Sequence, residues 1–172
     1  MAKLYWVTGY SGAGKTTIGR ELHKIVKRDD EASVLLDGDE MRKIFGDDLG
    51  YTKEDRFKSA MRYAKLCEFL THQGINVICC TISMFDEVRN WNRNHIKNYT
   101  EVYIKVSKEI LFQRNQKDLY SGYKQGVASN VAGLDLLLDE PQNPDIVIEN
   151  DGSISPPEAA EMIYKGESYH VK

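Results

Sequence analysis

Apolar residues along this chain recur at two spacings. Short continuous runs stand at 4–7, 33–36, 75–82, 101–106 and 145–148, the length and character of buried strands. Between them the spacing changes to three and four. Ile18, Leu22, Ile25 and Val26 mark one face of a helix from Lys15 to about Arg28, with charged residues opposite. Thr52 is placed to cap a long helix, with Glu54 and Asp55 in its first turn. Phe57, Ala60, Met61, Ala64, Cys67 and Leu70 give that helix its apolar stripe, and Gly74 stands just past its end. Residues 86–97 read as helical, and Ser107 caps a helix carrying Ile110 and Leu111. Ser155-Pro156-Pro157-Glu158 is the clearest helix start: serine at the cap, proline in the first turn, and a glutamate that reaches back to the cap amide. The tail after Gly166 is expected to fray.

Strands that alternate with helices predict an α/β fold, a parallel five-stranded sheet with helices on both faces. The alternation lapses at 115–143, a polar, glycine-bearing stretch with no strand of its own. A stretch of that length is usually a functional lid or a disordered loop. With no repeats and no linker, 172 residues make one domain.

Composition narrows the function. A net charge of −3 gives no global attraction to a nucleic-acid polymer. No apolar run is long enough to span a bilayer. The first strand begins within a few residues of Met1, so neither a signal peptide nor membrane association is expected, and a cytoplasmic location is. Cys67, Cys79 and Cys80 have neither metal-ligand spacing nor an even count for disulfides, and they read as core residues.

The strand at 4–7 leads into Gly9-Tyr10-Ser11-Gly12-Ala13-Gly14-Lys15-Thr16-Thr17, where Gly9, Gly14, Lys15 and Thr16 satisfy G-x-x-x-x-G-K-[ST]. Glycines let successive backbone amides close round a phosphate, and the helix that follows points its positive end at the same group. Lys15 reaches the outer phosphates, and the Thr16 hydroxyl can ligate Mg2+. The strand before and the amphipathic helix after are the context this loop requires. ATP binding follows, with Mg2+ as cofactor.

Many such proteins are switches or hydrolases, which place an aspartate at the end of a later apolar strand. Here the run at 75–82 ends without one, and the acidic groups are Asp37 and Asp39, after the second strand. In an open parallel sheet the carboxyl ends of the strands line one crevice. Either aspartate can therefore orient a hydroxyl acceptor there, or hold Mg2+ through water, as is expected of Asp37. Asp-Gly-Asp is also good material for an Asx-type turn, and the two roles are compatible.

With these features in view, the chain resembles the adenylylsulfate (APS) kinase family over about residues 6–145. That family follows its phosphate loop with D-G-D-N-x-R, here Asp37-Gly38-Asp39-Glu40-Met41-Arg42. L-G-[FY] before D-R appears as Leu49-Gly50-Tyr51 and Asp55-Arg56, and I-S-P as Ile82-Ser83-Met84. R-D-x-K-G-L-Y appears as Arg114-Asn115-Gln116-Lys117-Asp118-Leu119-Tyr120. Gly126 follows, and F-T-G-I-D appears as Val131-Ala132-Gly133-Leu134-Asp135. The resemblance implies a P-loop kinase that moves the γ-phosphoryl of ATP to the ribose 3′-hydroxyl of a nucleotide with a 5′ phospho-anhydride. It implies that Arg42 and Arg56 hold the acceptor's acidic end, a task suited to guanidinium forks. Arg114 and Lys117 would lie over ATP and stabilise charge on the moving group. Tyr51 would stack on the acceptor base, with Ser59, Ile82, Val131 and Leu134 around it. Ser83 matches a serine sometimes described as a phosphoenzyme intermediate. A serine nucleophile needs an activating base, however, and none is evident nearby in sequence, whereas in-line transfer needs only positioning.

Departures from the pattern gather at the acceptor. Glu40 and Ser59 replace asparagines, Met84 replaces proline, and Val131 replaces the phenylalanine that closes an aromatic sandwich on adenine. Losing one stacking face costs roughly 1–3 kcal/mol for a base held that way. Glu40 is expected to add negative charge near an anion site. The ATP side is largely intact, so the expectation is the same reaction on a changed acceptor with a smaller base. A relative that fits is cytidine diphosphoramidate kinase, which serves surface-polysaccharide decoration. The alternatives are a true APS kinase of sulfate assimilation and, from another class, a nucleotide-dependent switch without a small-molecule acceptor. The family resemblance also implies a homodimer.

Overall fold

The computed structural model describes residues 1–46 and 48–171. Five parallel strands, β1 (Leu4–Thr8), β2 (Ser33–Asp37), β3 (Asn76–Thr81), β4 (Tyr99–Lys105) and β5 (Ile146–Glu149), lie in the order β2-β3-β1-β4-β5. This is the five-stranded parallel sheet that the apolar runs predict, with ends shifted by one or two residues. Every residue of β1 is buried because it is central and covered on both faces.

Strand alternation divides the core. Tyr5 and Val7 join Ile78, Cys80, Val102 and Ile104 under α1 (Lys15–Asp29) and α7 (Pro156–Lys165), where Ile18, Leu22, Ala159 and Ile163 pack. Leu4 and Trp6 join Val77 and Cys79 on the other face, against α3 (Lys53–His72) and α4 (Asp86–His95), through Ala60, Tyr63, Ala64, Cys67 and Val88. All three cysteines are buried and free. Gly19 of α1 sits where a Cβ would come within 2.2 Å of Cys80 Sγ, so the helix lies directly on the sheet.

The predicted caps form. Thr52 accepts from the Asp55 amide at 3.2 Å, Ser107 from Ile110 at 3.4 Å at the start of α5 (Lys108–Arg114), and Ser155 and Glu158 complete a capping box.

Two short helices have no counterpart in the sequence pattern. In α2 (Gly38–Phe45) Met41 is the buried residue, and one inward residue in eight makes no stripe. A 3-10 turn (Gln116–Asp118) and α6 (Leu119–Lys124) open the lid. Part of the lid is packed down: Tyr120, Val131 and Ala132 form a third cluster with Tyr10, Met84, Tyr103 and Leu111. The tail corrects the expectation of fraying. Tyr169 donates its amide to Val147 O at 2.8 Å and accepts from the Glu149 amide at 2.9 Å, so residues past Gly166 cover the open edge of β5. Lys172, the last residue of that predicted tail, lies outside the described residues.

Candidate active site

The carboxyl ends of β1, β2 and β3 face a cleft with two chambers. One, of about 370 Å³, is lined by the phosphate loop with Asp37, Arg114, Asn150 and Pro156. The other, of about 290 Å³, is lined by Arg42, Tyr51, Arg56, Ser59, Tyr63 and Ser83 among others. Ser11, Gly38, Asp39, Thr81, Ile82, Gln116 and Lys117 line both. The cleft is therefore continuous, and these residues surround the passage between its halves.

The first chamber takes its shape from the loop backbone. Gly14 precedes α1 at φ 100°, the left-handed region, and a Cβ there would meet Asn150 Nδ2 at 2.6 Å. At Gly9 a Cβ would come within 2.6 Å of the Ile104 carbonyl. The loop is also held by side-chain hydrogen bonds. Asn150 Nδ2 donates to Ala13 O at 2.8 Å, while Arg114 donates to Gly12 O at 2.9 Å and to Asn150 O at 2.8 Å. Ser11, Gly12 and Gly14 line the chamber, and a loop of this kind binds phosphate through its backbone amides. Ala13 itself is buried.

Lys15 donates to Tyr10 O at 2.8 Å, and burial lowers its pKa from 10.5 to about 8, against the pull of Asp39 and Asp37. Thr16 Oγ1 donates to Asp37 Oδ2 at 2.5 Å, while Asp37 Oδ1 accepts the Asp39 and Glu40 amides and caps α2. Asp37 is thus both turn residue and crevice residue. A hydroxyl and a carboxylate oxygen side by side at the chamber wall are the hard donors Mg2+ takes, with water and phosphate oxygens completing its shell, and so the residues present fit that ion. Thr17 also lines this chamber. Asp39 forms an ion pair with Lys117 across the passage, and that hydrogen bond raises the lysine's pKa.

In the second chamber Arg42 lies over the Tyr51 ring at 4.3 Å and Arg56 at 5.3 Å. Their hydrogen bonds go to carbonyls: Arg42 to Leu49 O, and Arg56 to Tyr51 O and Asn130 O. Neither meets a carboxylate among the described residues. Burial and the adjacent Arg42 hold the Arg56 guanidinium below its ordinary pKa, as fits two cations that await an anion. Tyr51 is 57% exposed, and its ring is open to the cleft. Ser59 and Tyr63, one turn apart on α3, form the wall beneath. Ser83 has φ 22° and hydrogen-bonds Thr81, with oxygens 2.6 Å apart.

Several positions fall elsewhere than the resemblance puts them. Val131 is buried in the cluster under the lid and Leu134 borders a small gap beside Tyr10, so neither lines the second chamber. The Asp135 carboxylate accepts the Asn130 and Val131 amides at 2.9 and 2.6 Å, and this turn directs Val131 inward. Glu40 pairs with Lys43 at 2.7 Å and lines neither chamber, so the added charge lies outside the cleft. The Ser83 hydroxyl has Thr81 as its partner and no base beside it among the described residues. Asn150, Thr81, Asn130 and Tyr63 line the cleft without having been anticipated. For Asn150 and Thr81 a signal existed, since each stands at the carboxyl end of a predicted strand.

The chain matches the family model described as adenylylsulphate kinase over residues 1–149. Cytidine diphosphoramidate kinase of Campylobacter jejuni is 41% identical over 162 residues, covering 94% of this chain and 94% of the relative. Adenylyl-sulfate kinase of Halothermothrix orenii is 35% identical over 158 residues, covering 92% of this chain and 85% of that one. The solved structure of the Mycobacterium tuberculosis APS kinase CysC in complex with AMPPNP and APS matches with a TM-score of 0.87 at 27% identity, covering 96% of each chain. A phosphate loop that opens on a second chamber with two guanidinium groups agrees with these matches, and the chain belongs to the adenylylsulphate kinase family, as a phosphotransferase with a hydroxyl acceptor.

Proposed function

We propose that this kinase transfers the γ-phosphoryl of ATP to the ribose 3′-hydroxyl of cytidine diphosphoramidate or a nucleotide close to it. The reading is of a cytoplasmic homodimer that supplies surface-polysaccharide modification; no helix among the described residues is long and apolar enough to cross a membrane. What carries it is the 41% identity to the Campylobacter enzyme over nearly the whole of both chains. The second chamber agrees: Tyr51 lines it and Val131 does not, which suits a base that needs less stacking surface than adenine.

In this reading ATP lies with its phosphates in the loop, Lys15 on the outer oxygens, and Thr16 and Asp37 positioned to hold Mg2+, the latter through water. The bound ion would offset negative charge on the phosphates. Arg42 and Arg56 take the acceptor's 5′ anionic group, which aims its ribose at the passage between the chambers. Asp39 there accepts a hydrogen bond from the 3′-hydroxyl, turns an oxygen lone pair toward the γ-phosphorus, and takes the hydroxyl proton as the oxygen–phosphorus bond forms and the bond to the leaving ADP breaks. Lys117 leaves Asp39 for the moving phosphoryl group as its charge spreads. Each side chain needs only to bind, orient or hold a proton, which is the share of the work phosphoryl transfer leaves to a protein.

The test is 3′-phosphorylation with ATP of cytidine diphosphoramidate and of APS, compared by kcat/KM. The cytidine nucleotide is expected to win by at least about tenfold, which corresponds to one stacking contact. A strong preference for APS would overturn the acceptor assignment and leave the kinase assignment standing.

A further inference from the structure

The passage between the chambers has a hydroxyl pair that the reaction as described does not use. Thr81 is the last residue of β3, and alternation puts it on the face of Val77 and Cys79, toward α3 and the second chamber. One residue intervenes before Ser83, whose left-handed φ of 22° turns its side chain back beside Thr81. Thr81 Oγ1 and Ser83 Oγ are 2.6 Å apart, and both residues are buried. Neither hydroxyl has another partner among the described residues. The strand end is held in place by Thr8, whose hydroxyl donates to Ile82 O from the adjacent β1. On one side the backbone of Gly38 closes in, where a Cβ would lie 3.3 Å from Thr81 Oγ1. The direction left open to the pair is the cleft.

Two hydroxyls bring two protons, and their mutual bond uses one. The other proton, together with spare lone pairs, remains for a ligand. A buried group with unused hydrogen-bonding capacity discriminates strongly between ligands that do and do not satisfy it. The ligand group due at this point follows from the reaction. If the 3′-hydroxyl sits against Asp39 in the passage, its cis neighbour on the same ring, the 2′-hydroxyl, reaches the adjoining wall, where Thr81 stands. We infer that the Thr81–Ser83 hydroxyl pair binds the 2′-hydroxyl of the acceptor ribose, and that Thr81 is a specificity residue through which the enzyme takes ribonucleotide acceptors and refuses 2′-deoxyribonucleotides. The inference rests on the reading of this cleft as a 3′-kinase, but it does not depend on which base the acceptor carries.

The experiment compares cytidine diphosphoramidate and APS, each with its 2′-deoxy counterpart, by kcat/KM and by equilibrium binding to the full chain. The wild-type protein is expected to favour the ribo form of its preferred acceptor by at least about tenfold. Thr81→Val keeps the branched shape and removes the hydroxyl. It is expected to lower activity on the ribo form and to leave the deoxy form at the wild-type rate, so that the preference collapses. Thr81→Ser is expected to restore the preference. Equal handling of ribo and deoxy acceptors by the wild-type protein overturns the inference without any variant being needed. So does a Thr81→Val protein that loses both activities in proportion while still binding ATP. If Thr81→Val does not fold, Ser83→Ala is read in the same way. Preference for APS with the ribo selectivity intact would count against the acceptor proposed above and support this one. If neither acceptor is turned over, the binding comparison alone decides.

Discussion

Lys15 carries a charge in a place that discourages it. Burial lowers its pKa to about 8 in the free protein, although Asp37 and Asp39 pull the other way. A triphosphate in the loop supplies the opposing charge and raises that pKa again, so ATP binding and proton uptake by Lys15 are linked. The sign follows from this. Below about pH 8 the lysine is already protonated and affinity does not depend on its titration. Above it, free protein must gain a proton in order to bind, so the apparent Kd for ATP is expected to rise by up to about tenfold per pH unit. Calorimetric titration between pH 7 and 9.5 checks this, and a Kd that stays flat across that range would mean that the lysine is not in contact with the phosphates. Asp37 and Asp39 divide their work differently. Asp37 is fixed by Thr16 and by the amides of α2, whereas Asp39 is tied to a single movable partner, Lys117. That difference is what assigns Asp39, in the proposed reading, to the substrate hydroxyl once that lysine moves.

At the scale of elements, the lid and the phosphate loop are joined through Tyr10. Its carbonyl holds Lys15, its ring lies under Gly133, and its hydroxyl donates to Glu140 at 2.6 Å. Tyr103 donates to the same carboxylate at 3.3 Å. Glu140→Ala removes the acceptor of two hydroxyls and is expected to cost about 1–3 kcal/mol of stability. Thermal unfolding would register that cost, and hydrogen exchange should quicken at residues 131–138; unchanged exchange there would show that the lid is held by its apolar contacts alone. None of this was legible in the sequence, because residues 10 and 140 are distant in the chain and carry no local signal. The same holds for Asn150, bonded to the loop at Ala13. What could be read was local. Buried strands announce themselves by apolar runs, the phosphate loop by the spacing of Gly9, Gly14, Lys15 and Thr16, and α7 by its capping box. The helix α2 escaped because a helix that buries only Met41 imposes no periodicity. Val131 shows the limit of resemblance: a matched position fixes where a residue stands in the chain, whereas the Asp135 turn decides which way its side chain points.

At the scale of the molecule, two chambers that share a wall have a kinetic consequence. With ATP bound alone, the second chamber is open to solvent, yet none of the described residues at the passage is placed to activate water. The Ser83 hydroxyl is paired with Thr81, Asp39 is held by Lys117, and the end of β3 offers no carboxylate. In the proposed reading, an acceptor that fills the chamber displaces water, engages Arg42 and Arg56 through its 5′ group, and brings a hydroxyl to Asp39. Binding energy gathered some distance from the reacting atoms is thereby used to position them. ATP turnover without an acceptor is therefore expected to fall at least about a hundredfold below the roughly 1–100 per second usual for kinases, and to rise toward that range when the acceptor is added. A coupled assay for ADP with and without the cytidine nucleotide measures the difference. Full turnover in its absence would place the chain among hydrolytic switches, because water would then be doing what the second chamber is shaped to prevent.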